Sequence, residues 1–122
     1  MPRFRSTDIS LHLDMAVIGD VCLGISLAGY RSLLSSFLSD DAGSQCELLA
    51  ALNRADTAAL QHLAHSLNGA AASMGLIGVQ SLARQIEADG AGYSAAVCLA
   101  QAAALQDRLD MAMALLQRMG FA

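Results

Sequence analysis

Apolar residues recur along most of this chain at the three- and four-residue spacing of a helix face. From about Ser26 to Leu38 the stripe is Leu27, Tyr30, Leu34, Phe37 and Leu38. This helix either continues past Asp40 and Asp41 or breaks near Gly43, ahead of a segment bearing Leu48, Leu49 and Leu52. Leu13 to Val21 reads as a short helix capped by Asp14 or a neighbour. Asn53-Arg54-Ala55-Asp56 reads as a turn, with Asp56 as the cap of a helix over 57–73 that Gly75 closes. A further helix over 76–89 uses Ile77, Val79, Leu82, Ala83 and Ile86, and Gly90-Ala91-Gly92 ends it. Ser94 then caps a last helix over about 95–119. Its seam of Cys98, Ala102, Leu105, Leu109, Ala112, Leu116 and Met119 alternates four- and three-residue steps, as bundle helices do. Residues 1–13 keep no steady period and read as a tail or linker, leaving 14–122 as the folded domain. The expectation is an all-α fold: an antiparallel up-down four-helix bundle with an extra short N-terminal helix.

The helix over 57–73 is the most unusual. At 100° per residue, Leu60, Leu63, Ala64, Leu67, Ala71 and Met74 fall within about 60° of one direction. His65 lies about 140° from it and Gly69 about 180°, with His62, Ala72 and Ser73 on the same outer half. A glycine inside a helix costs about 1 kcal/mol relative to alanine. One turn after an outward histidine it suits the close approach of another protein. The same small residues suit packing against another helix, or an incidental Ala-rich surface.

Composition narrows the classes. The 122 residues are one domain's worth, 55% hydrophobic, with a mean hydropathy of +0.45. That apolar excess fits either a surface meant for a partner or simply an Ala- and Leu-rich bundle. No stretch approaches the roughly 18 uninterrupted apolar residues of a membrane span, and the basic start Met1-Pro2-Arg3-Phe4-Arg5 is not followed by a signal-peptide core. The net charge is −4, with seven arginines scattered and no lysine. Nucleic acid and polybasic membrane contacts both need clustered cations, so neither is expected. Cys22, Cys46 and Cys98 are too far apart for a zinc knuckle or redox pair and read as buried free thiols in a reducing cytoplasm. His62 and His65 are three apart on one helix half, but nothing supplies further ligands, so no metal site is expected. Asp40 and Asp41 read as solvated acids, and Asp107, Arg108 and Asp110 as a solvent face.

The run Ala64-His65-Ser66-Leu67-Asn68-Gly69, then Gly75, Leu82 and Ile86-Glu87, resembles the histidine-containing phosphotransfer (HPt) domain family. Tyr30 and Phe37 match aromatic positions of that family's long helix, and Leu52 to Asp56 its lead-in to the histidine helix. The resemblance spans roughly residues 14 to 119. It implies a phosphorelay intermediate of two-component signal transduction, whose His65 becomes a phosphohistidine by exchange with response-regulator receiver domains. Glu87 falls where the family places a side chain near the histidine, which would orient the ring; it is otherwise an ordinary solvated carboxylate. His62, Asn68, Gly69, Ala72 and Ser73 would form the docking face. No cofactor is expected on this chain, since the receiver domain carries the Mg²⁺. One departure stands out: the family usually has lysine where this chain has Asn68, which brings a hydrogen bond but no charge.

The resemblance further implies a cytoplasmic module, either free-standing or the C-terminal domain of a hybrid sensor histidine kinase, as in bacterial quorum sensing, tethered through that parent to the inner membrane. No autonomous catalytic site is visible: there is no glycine-rich phosphate loop, nucleophile–base pair or carboxylate dyad. The rival reading is a protein-binding module whose same helix face docks on and inhibits a target enzyme. A bundle with no site at all is the third.

Overall fold

The computed structural model describes residues 6–39 and 43–122, all-helical with no strand among them. The helices are α1 (Ser6–His12), α2 (Met15–Ile25), α3 (Leu27–Ser39), α4 (Ser44–Asn53), α5 (Thr57–Ser73), α6 (Ile77–Asp89) and α7 (Ala95–Arg118). Gly90–Gly92 forms a single 3-10 turn. α5 packs between α4 and α6, and α7 touches both α6 and α4, so these helices enclose one core. The expected spans for α5, α6 and α7 agree with the structure to within a residue. Asp40 and Asp41 lie outside the described residues.

The core comes from the stripes. Leu60, Ala64, Leu67 and Ala71 of α5 are fully buried, against Leu48 and Leu52 of α4, Val79, Leu82 and Ile86 of α6, and Leu105 and Leu116 of α7. Each such leucine or isoleucine contributes about 1.5–3 kcal/mol by leaving water. The α5 side chains therefore fix the helix's rotation about its own axis, and with it the direction His65 faces.

The end of α5 is held from two sides. Gly75 has φ +74°, a conformation that favours glycine, and a Cβ there would lie 2.7 Å from Ile18 Cγ1. Its carbonyl accepts from the Asp14 N–H at 2.8 Å, while the Asp14 carboxylate caps α2 by accepting from Ala16 and Val17. The Tyr30 hydroxyl donates to the Met74 carbonyl at 2.9 Å, satisfying one of the carbonyls that a helix end leaves open. Burial, reinforced by Cys22, pushes the Tyr30 phenol up to about 12.

The structure departs from the pattern at several places. Within the segment expected as a tail, Ser6–His12 is helical and rests on α6 and α7, with Leu13 buried behind it. Gly78 permits this contact: a Cβ there would meet His12 Nδ1 at 3.0 Å and the Leu11 carbonyl at 3.1 Å. Arg108 is no solvent-face residue either; its Nη1 donates to the Gly78 carbonyl at 2.7 Å, joining α7 to the same spot. Asp56 stands at the start of α5 without a side-chain capping bond and faces Arg54 at 3.8 Å. Leu27 and Ile77, each at the first position of its helix, are exposed rather than buried. Of the thiols, all free, only Cys98 is buried; Cys22 and Cys46 are half-buried on helices with one side open. No single described helix is long and apolar enough to cross a membrane; α2 and α3 pass by composition only as a pair bent by 114°.

Candidate functional site

His65 stands near the middle of α5, opposite the buried stripe. Its side chain is 73% exposed. His62, Ser66, Gly69 and Ser73 are exposed beside it, and Asn68 and Ala72 are half-buried on the flank. α5 and α6 are the most extensively packed pair of helices, and that packing brings Glu87 to His65. Glu87 Oε1 lies 2.7 Å from His65 Nδ1, although 22 residues separate them in sequence.

This contact sets the ring's chemistry. An ionised carboxylate has acceptors only, so the hydrogen in the bond belongs to Nδ1. In a neutral ring the other nitrogen, Nε2, then carries the free lone pair. Nε2 makes no hydrogen bond to the described chain. The result is an oriented imidazole whose nucleophilic nitrogen is open to a reactant from outside.

The surroundings are sparse. His65, His62 and Glu87 line a shallow hollow with Ala58 and Gln61. The last two were not singled out from sequence; Gln61 stands four residues before His65, a spacing that marks it as a neighbour on the helix surface. A Cβ on Gly69 would meet no atom within 4 Å. Internal packing therefore does not require this glycine, which removes the helix-contact explanation for it. Ser73 turns elsewhere: its hydroxyl donates back to the Ala70 carbonyl at 2.8 Å. With Ala70 and Met74 it lines an apolar groove bounded by α2, α3 and α4. Among the described residues no group of three or more His, Cys, Asp or Glu side chains is placed to hold a metal.

Comparison with curated proteins and with solved structures finds no match. The model of one protein family does match, the Hpt domain, over residues 32–118. That span covers well over half of the chain and includes His65, its carboxylate partner and the open face beside them, and on this ground the chain belongs to the Hpt domain family.

Proposed function

We propose that His65 is the phosphoryl-carrying residue of a phosphorelay, exchanging its cargo with aspartates of receiver domains. Membership of the Hpt family implies histidine phosphotransfer in phosphorelay signalling, and Hpt domains interact with response-regulator receiver domains. The observation that carries the assignment to this residue is the 2.7 Å Nδ1–Glu87 contact on a ring that is otherwise exposed.

The step balances without a further reactant. The Nε2 lone pair attacks the phosphorus of a receiver phosphoaspartate, forming the N–P bond. The acyl P–O bond breaks, and its electron pair returns to the aspartate carboxylate. The proton on Nδ1 stays in place, and Glu87 offsets the positive charge the ring acquires. The reverse sequence hands the group to a second receiver. Mg²⁺ in this scheme belongs to the receiver, and the chain itself needs no cofactor. An antiparallel up-down arrangement of α4 to α7 would give α5 the rigidity the exchange needs. A cytoplasmic setting, alone or at the C-terminal end of a hybrid sensor histidine kinase, is part of the same proposal.

The experiment is phosphoryl transfer from a phosphorylated receiver domain with Mg²⁺, comparing wild type with His65→Ala. Acid-labile, base-stable label on the wild type alone is the expected result. Label that persists on His65→Ala would reassign the site. Absence of label from every receiver tried would leave docking as the role of this face.

A further inference from the structure

Gln45, the second residue of α4, is only 3% exposed, the one amide or charged side chain buried among the described residues. Glutamine is mostly a surface residue, so its burial calls for partners at both ends of the amide. One end has its partner. Nε2 donates to the Phe37 carbonyl, one of those that the end of α3 leaves open. A carbonyl can only accept, so this contact fixes which end of the amide is the nitrogen. The other end, Oε1, is buried and accepts from no group of the chain. Holding the end of α3 therefore accounts for the nitrogen, and leaves the fold with an unsatisfied acceptor that costs stability.

The same residue lines a cavity. The groove bounded by α2, α3, α4 and α5 has a volume of about 590 Å³. Small-molecule sites run from roughly 300 to 1,000 Å³. Val21, Leu33, Phe37, Ala70 and Met74 give the groove apolar walls, and no charged side chain lines it. Gln45 lines it while almost wholly buried, which places the residue in its floor. Apolar walls with a rare polar group to select among ligands are the general make-up of such sites.

The two observations together define a ligand chemistry. An apolar body suits the walls. A charged group would lose its hydration there and meet no counter-charge. Oε1 has no hydrogen to give, so an ether or alkane leaves it bare, whereas a hydroxyl or N–H satisfies it. We infer that the groove binds a neutral amphiphile: an apolar body of small-molecule size whose single hydroxyl or N–H donates to Gln45 Oε1. Its occupancy is independent of whether His65 carries a phosphoryl group.

The test is a titration of the whole chain, followed by amide NMR, with n-octanol and with its methyl ether, which keeps the apolar body and lacks the donor. Saturable shifts are expected at the groove, Ala70 and Met74 included, with n-octanol bound roughly three- to tenfold more tightly than the ether, the worth of one hydrogen bond. Gln45→Met keeps the bulk and removes the acceptor, and should bring the two probes to equal affinity. Leu33→Ser, at the exposed rim of the groove, leaves the core alone and should weaken both probes by a similar factor. Equal affinity of the two probes for wild type would overturn the assignment of Oε1, a comparison that does not depend on any variant folding. Shifts scattered over the surface without saturation would overturn the site itself.

Discussion

Gly69 allows fold and function to be pulled apart. Its place in the interior of α5 costs about 1 kcal/mol relative to alanine. A Cβ there meets nothing within 4 Å and the position has no positive φ, so alanine brings neither clash nor strain. Gly69→Ala should therefore stabilise the chain by about 0.5–1 kcal/mol. For a domain of 122 residues that amounts to a rise of about 2–4 °C in Tm. Gly69→Leu should keep most of this gain, because leucine is nearly as good a helix former. Its side chain, however, projects into the space a partner would occupy one turn from His65. Thermal melting followed by circular dichroism reads the first effect, and receiver-to-chain transfer read as kcat/KM the second. The expected pattern is a melting temperature above wild type in both variants, with transfer reduced slightly by alanine and by at least tenfold by leucine. A fall in Tm for Gly69→Ala would mean the site is not open. Wild-type transfer by a well-folded Gly69→Leu would mean this face is not where the receiver docks.

Three other outcomes follow from single contacts. Glu87→Ala frees the ring of its Nδ1 partner; transfer should fall about tenfold, in keeping with loss of a charge-assisted bond on an exposed ring. Glu87→Gln retains an acceptor and should lose less, and nitrogen NMR of His65 should show the Nδ1–H tautomer diminished only in the alanine variant. Tyr30 has a folded-state value of about 12 against an ordinary 10, so its contribution is intact below pH 10 and is lost as pH rises towards 12. Urea titrations should lose about 2–3 kcal/mol over that window, and Tyr30→Phe should flatten it while costing about 1–3 kcal/mol at neutral pH through the orphaned Met74 carbonyl. Gly78→Ala should weaken the α1 contact, where the new Cβ would sit 3.0 Å from His12 Nδ1; faster amide exchange across Ser6–His12, with α5 unchanged, is the measurement.

Periodicity made α5 legible because its two faces differ so sharply. Of the expected stripe, Leu60, Ala64, Leu67, Ala71 and Met74 are buried and Leu63 is half-buried, and the stripe alone told which way His65 points. The long seam of α7 was readable for the same reason. α1 was not: seven residues hold barely two turns, too few to show a period, and what holds it is Gly78 on a helix far along the chain. Arg108 illustrates the same limit, since a charged residue between two acids reads as solvated until α6 presents a carbonyl to it. The His65–Glu87 pair lies between these cases. Spacing within one helix cannot give a contact across 22 residues, and only likeness to a family suggested it before the packing of α5 on α6 supplied the distance.

The distribution of stabilising and destabilising choices along α5 has its own logic. On the inner face the positions are apolar, buried at Leu60, Ala64, Leu67 and Ala71 and half-buried at Leu63, so the helix is anchored by tertiary packing and does not depend on propensity. That anchoring leaves the outer face free to carry residues a lone helix would disfavour. Gly69 and Asn68 together cost about 1.5 kcal/mol against alanine, and the unpartnered Asn68 oxygen adds to this. Neither residue improves the core: one Cβ position opens to empty space and the other leaves a buried acceptor bare. Both stand within four residues of the histidine whose ring Glu87 orients, and nowhere else along α5 does a polar side chain leave a buried atom unpaired. Local instability concentrated beside one oriented, exposed nucleophile is what a docking and transfer face requires, and a bundle that served only to fold would have no cause to keep it there.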